Sequence, residues 1–142
     1  MDDTAYIVKL FPDAIICMES ALLIYQYTDR VPNSWRIAVN RDTGKTKFQI
    51  AYPKVTPIYV SKSYLYIGID EKEINGVKVK IYDRERTICD CLRYMNKMDA
   101  EIFRKAIKAY LKDKEQNIGK PVQYGKIFKI TKKIDTYVGV WL

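Results

Sequence analysis

The groups in this 142-residue chain able to do chemistry are carboxylates, lysines, arginines and three thiols, because it contains no histidine. That absence excludes Ser–His–Asp and Cys–His nucleophile systems and imidazole acid–base catalysis. Lysine and carboxylate chemistry remain. Asp70-Glu71-Lys72 matches the acid–x–Lys half of a metal-dependent nuclease signature. A small nuclease would need a further acid converging on them around a divalent ion. The simpler reading makes Asp70 to Glu73 an acidic hairpin loop. Glu19, Asp83, Asp90 and Asp99 also invite an acid–base role, but Asp83 and Asp99 each stand where a helix needs an N-cap. Cys17, Cys89 and Cys91 are an odd number, which argues against a disulfide framework. Cys89 and Cys91 project about 200° apart on a helix, so they cannot share a metal, and all three read as buried thiols. The glycines form neither a P-loop nor a G-x-G-x-x-G pattern. The sequence therefore assigns no catalytic residue, metal site or cofactor.

The stronger chemical feature is cationic. The net charge is +8, and nearly all the excess falls after residue 70. Residues 120–133, KPVQYGKIFKITKK, hold Lys120, Lys126, Lys129, Lys132 and Lys133 and no acid. Two readings stand: a solvated helix face, or an electrostatic footprint that contacts nucleic-acid phosphates. Abundant tyrosine leaves a similar choice between rings packed on strands and an exposed partner surface.

The length fits one domain over 1–142, and no run approaches the ~20 apolar residues of a membrane span. A soluble, cytoplasmic protein is expected. Ile15 to Cys17 reads as a short strand running into a helix over Met18 to Tyr27, with Ala21, Leu22 and Tyr25 inward. Trp35 to Asn40 and Phe48 to Tyr52 alternate about the turn residues Asp42 to Lys45, which predicts a hairpin; the second run is also short enough to be a helical turn. Pro57 to Ser61 is a further strand candidate. Tyr64 to Ile69 and Val77 to Tyr82 flank a loop with the strong turn pair Asn75-Gly76. Asp83 and Asp99 then open two helices, each with charges on one face and an apolar stripe on the other: Ile88, Cys91, Leu92 and Met95; then Phe103, Ala106, Ile107, Tyr110 and Leu111. Pro121 begins a third helix that turns Tyr124, Ile127, Phe128 and Thr131 inward and Lys126, Lys129 and Lys133 outward. The apolar ending Val140-Trp141-Leu142 is expected to dock on the core. The fold class is α+β: a small, mainly antiparallel sheet with helices packed on one face and a helical C-terminal third.

Three stretches also carry a family look: FPDAIICMESALLIYQYTDRVPNSWRIAVNRD over 11–42, YDRERTICDCLRY over 82–94, and the terminal GVWL. Together they resemble the C-terminal domain of AbiEi-type antitoxins of abortive-phage-infection toxin–antitoxin pairs. The resemblance implies a non-enzymatic antitoxin domain that counteracts a nucleotidyltransferase-like toxin. Family members usually begin with a winged helix that reads operator DNA and autoregulates transcription. Only MDDTAYIVKL precedes Phe11 here, which leaves open an excised domain, a truncated product or a stand-alone relative. A nuclease-like enzyme and a nucleic-acid-binding module are the alternatives.

Overall fold

The structure is a computed structural model that describes residues 3–139. It is an α+β protein with a five-stranded mixed sheet and a helical C-terminal part. Two compact units share the chain: residues 1–21 with 31–82, and residues 22–30 with 83–142. Val140, Trp141 and Leu142, expected to dock, lie outside the described residues.

The first unit opens with α1 (Asp3–Leu10), not foreseen from the sequence. Ile7 and, just beyond the helix, Phe11 form a core with Ala14, Ile37, Val39, Phe48 and Val55. Asp3 ties the helix start to the sheet by accepting a 2.9 Å bond from the Trp35 indole. The strands are β1 (Ile15–Ile16), β2 (Trp35–Asn40), β3 (Val55–Val60), β4 (Ile69–Ile74) and β5 (Val77–Tyr82), in spatial order β3-β2-β1-β5-β4. β1–β2 and β4–β5 are antiparallel, while β1–β5 and β2–β3 are parallel.

The predicted 35–52 hairpin does not form. The turn after β2 leads into a 3-10 turn over Thr46–Phe48 that buries Phe48, and the chain returns as β3 alongside β2. Phe48 is drawn into the aromatic core against Phe11, at 5.2 Å between ring centroids, instead of alternating in a strand. β3 is an edge strand, and the Lys54 and Val60 carbonyls accept from β2 and the residue after it. Alternation then points the backbone of Pro57 away from β2, where its missing donor loses no ladder bond.

Tyr64 lies in a short helix, α3 (Lys62–Leu65), instead of the expected strand. Asp70 to Glu73 lie in β4, not in a hairpin loop. The loop itself is the Asn75-Gly76 pair, both at positive φ (50° and 82°), with Ile74 opposite Val77. Such a pair suits a two-residue turn whose twist matches the flanking strands.

α2 (Met18–Ile24) crosses the boundary between the units. The second unit then comprises α4 (Arg84–Arg93), α5 (Ala100–Lys112), α6 (Lys120–Ile127) and α7 (Thr131–Tyr137). Asp83 caps α4 by accepting from the Arg86 amide, and Asp99 caps α5 by accepting from Glu101 and Ile102. The single C-terminal helix expected after Pro121 is in fact two. They break at Lys129, which takes a left-handed φ of 60°, and the Ile130 amide closes back on the Gly125 carbonyl at 2.8 Å.

Candidate nucleic-acid interface and the buried ion network

The charges of α4 do not face water. Glu85, Arg86, Thr87, Ile88, Cys89, Asp90, Cys91 and Leu92 are all buried, so the expected solvated charged face is inside. Each charge has a partner within the second unit. Arg86 is 0% exposed, and its Nε donates to both Asp90 oxygens at 3.0 Å. Arg93 donates to the same carboxylate at 3.1 Å. Both guanidinium groups lie on the Phe128 ring, 4.4 and 5.0 Å from its centroid. Glu85 accepts from the Tyr110 hydroxyl at 3.0 Å and the Asn117 amide at 2.9 Å. Asp83 accepts from the Tyr124 hydroxyl at 2.6 Å. Arg84 reaches Asp113 and Glu115 at 3.0 and 2.9 Å and covers the Tyr25 ring.

Burial without water makes the charged form of a group costly unless it is paired. Burial holds the Asp90 carboxyl above its ordinary range, against the opposing pull of Arg86 and Arg93. Burial likewise pushes the Cys89 thiol up and keeps it protonated. Tyr27 donates to Asp113 at 2.5 Å, and burial followed by that bond raises its hydroxyl far above the usual range. Buried Tyr82, Tyr110 and Tyr124 similarly place their hydroxyls on Leu65, Glu85 and Asp83. These rings are core groups with satisfied polar ends. Tyr52 and Tyr66 are the large exposed ones.

The five lysines of 120–133 divide. Lys120 approaches Asp83 at 3.4 Å. Lys133, expected to point outward, donates to the Leu92 carbonyl at 3.1 Å and so caps the C-terminal end of α4. Lys126, Lys129 and Lys132 are exposed and have no ion-pair partner among the described residues. They sit on three successive elements, α6, the left-handed link and α7, not along one helix. Lys133→Gln is therefore expected to destabilise the protein by about 0.3–1 kcal/mol, the usual worth of a cation at a helix C-terminus. Lys126→Gln should change stability by less than about 0.5 kcal/mol, as surface substitutions do. Urea melts of the two variants check the difference.

A second set of cations was missed by attending to residue runs alone. Arg104, Lys108 and Lys112 recur at i, i+4 and i+8 on α5, opposite its buried Phe103, Ala106, Ile107 and Tyr110. Successive members stand about 6 Å apart along the axis, a spacing legible in the sequence by helical period. The unit carries 15 basic and nine acidic residues. Seven of the acids are engaged by the contacts above or by Arg30 and Lys105, which hold Asp99 and Glu101. What remains outward is mostly unneutralised cation.

The nuclease triplet has a different geometry. Asp70 and Lys72 share one face of β4, and Glu71 takes the other, opposite Lys80. Among the described residues no three Asp, Glu or Cys side chains gather as a metal site. No described helix is long and apolar enough to cross a membrane. No protein-family model matches this chain, and no curated protein shows significant similarity to it.

Proposed function

We propose that this chain is a non-enzymatic antitoxin domain of the AbiEi kind, acting in the cytoplasm to counteract a nucleotidyltransferase-like toxin. The supporting observation is the fate of the YDRERTICDCLRY segment, which carries most of the sequence resemblance. Its charges are committed to caps, buried ion pairs and ring contacts inside the helical unit. Such a segment specifies a fold, so function is left to the surface that the fold presents. The test is co-expression with a nucleotidyltransferase-like toxin of an AbiE-type pair. Growth should be restored by this chain, and it should be restored equally by Asp70→Ala. Failure to rescue overturns the antitoxin reading. Magnesium-dependent cleavage of nucleic acid that disappears in Asp70→Ala would replace it with the nuclease reading.

An auxiliary contact with nucleic acid is favoured by the unneutralised cations of the helical unit. Phosphate contacts position a protein without reading sequence, so binding should be weak and similar on every duplex. In a winged-helix-bearing relative, such contacts would support promoter autoregulation. Replacing Arg104, Lys108 and Lys112 with Gln should reduce the slope of log affinity against log salt by roughly 2–3, since each lost contact contributes about 0.9. The same is expected for Lys126, Lys129 and Lys132. Unchanged slopes in both triple variants would make these cations ordinary solvated surface.

A further inference from the structure

A cleft of about 300 Å³ in the first unit stands apart from the cationic helices. It lies beside the carboxyl end of β2, where Val39 and Asn40 line it. The segment after β2 contributes Thr43, Lys47 and Phe48, and α3 and its cap, after β3, contribute Leu65 and Tyr66. The turn before β1 closes the remaining side; β1 is antiparallel to β2, so its start adjoins the end of β2. Crevices outside the carboxyl ends of parallel strands are where open α/β sheets hold ligands. The volume is that of the smaller ligand sites, and the lining sets polar groups from Asp13, Asn40, Thr43 and Lys47 among apolar side chains from Phe11, Val39, Phe48 and Leu65.

The rim has an unmet charge. The Lys47 ammonium stands 5.9 and 5.6 Å from the centroids of Phe11 and Phe48, with no ion-pair partner among the described residues. Tyr66, which also lines the cleft, leaves 61% of its surface in water. Asn40 and Thr43 add amide and hydroxyl groups to the lining. One acid lines the cleft, Asp13, whose fully exposed carboxylate is 4.0 Å from Lys80.

We propose that this cleft binds a nucleoside monophosphate, with the base against Tyr66 and the apolar lining and the phosphate on Lys47. A planar apolar group suits the ring and the aliphatic lining, an anion suits the lone lysine, and the amide and hydroxyl can meet a base edge. A free nucleotide and an unpaired 5′-terminal nucleotide of a strand offer the same chemistry. This assignment is independent of the antitoxin reading.

The test is an amide-resolved NMR titration of the full chain with AMP, CMP, GMP and UMP to about 10 mM, well above the Kd of a weak site. Inorganic phosphate and a 5′-phosphorylated tetranucleotide are titrated separately. Shifts are expected at Asn40, Thr43, Lys47 and Tyr66. Lys47→Gln should weaken binding about five-fold, the range of an exposed ion pair, and Tyr66→Ala should weaken it too. Asp13→Asn should tighten it, because a like charge is removed from the rim. Tighter binding of the tetranucleotide than of the mononucleotides assigns the site to a strand, and equal binding to free nucleotide. No shift at these residues with any nucleotide overturns the proposal. So does phosphate alone binding as tightly as the nucleotides, or an affinity indifferent to Lys47→Gln in a variant whose spectrum is otherwise native.

Discussion

Asp90→Asn is expected to destabilise the helical unit by about 3–5 kcal/mol, the cost of leaving a buried charge without its partner. Arg86 is wholly buried and binds both oxygens of Asp90, and a guanidinium cannot shed its proton to escape the mismatch. Arg86→Met should cost less, about 1–3 kcal/mol, although it removes the same ion pair. The side chains left behind differ: Asp90 still receives Arg93 and can take up a proton, and its carboxyl is already held above the ordinary range by burial. The pH dependence separates the two variants. A carboxyl whose folded-state pKa is raised binds a proton in the folded chain before the unfolded chain does. Its penalty is therefore greatest above the folded pKa and disappears as pH falls below the unfolded one. Arg86→Met should recover stability relative to the parent as pH falls from the raised folded-state pKa of Asp90 towards the ordinary carboxylate range, whereas Asp90→Asn, with no carboxyl left, should show no such recovery. Urea unfolding at several pH values, with hydrogen exchange of the α4 amides to localise the loss, reads both effects. Equal losses with parallel pH profiles would mean that Arg86 and Asp90 are hydrated in solution.

What the sequence disclosed and what it hid follow from the range of the forces involved. Asp83, Asp99 and Asn75-Gly76 act within three or four residues, and they cap two helices and close a hairpin as read. The alternation of Val77, Val79 and Ile81 also placed β5 correctly, since Val79 and Ile81 are buried. The pairing of β2 with β3 is non-local, and a turn after β2 is equally consistent with a hairpin or with the start of a crossover. Phe48 decides between them by joining the Phe11 core, a contact that no period within its own segment announces.

The misplaced charges of α4 have another cause. Hydrophobic periodicity assumes that charges face water, and this helix supplies their partners internally instead. A signal was present in two parts. Asp90 lies four residues after Arg86 and three before Arg93, so one carboxylate can reach both. Cys89 and Cys91, both of a type usually buried, flank it on opposite sides of the helix, which implies burial all round. Phe128, which lies under both guanidinium groups, comes from a distant helix end and was legible only as part of an inward stripe. Among the candidate binding residues, Lys126 and Lys129 are outward as read, and Lys132, given no face in the sequence, is exposed as well. Lys133 is not, because the break at Lys129 redirects the chain after it.

That break depends on close approach of α6 and α7, and Gly125→Ala should expose the dependence with a loss of about 1–3 kcal/mol. Alanine is the better helix former by about 1 kcal/mol, so on an exposed helix the substitution would stabilise. Here an added Cβ would stand 2.9 Å from Cγ1 of Ile134, closer than packed carbons come. Ile134 is 1% exposed and cannot swing away, so overpacking outweighs propensity and reverses the sign. Ile134→Ala alone should cost about 2–5 kcal/mol, as buried truncations to alanine do. In the double variant the new methyl enters the space that Ile134 vacates, and the combined loss should fall short of the sum by about 0.5–3 kcal/mol. Urea melts of the four proteins complete the cycle. Additive losses, or a Gly125→Ala protein more stable than its parent, would show that the helices separate easily at this corner. The corner also sets where α7 presents Lys132 to solvent and Lys133 to the end of α4. Gly125→Ala should therefore lower the protection of the last α4 amides, while the exchange of amides in β4 and β5 stays unchanged.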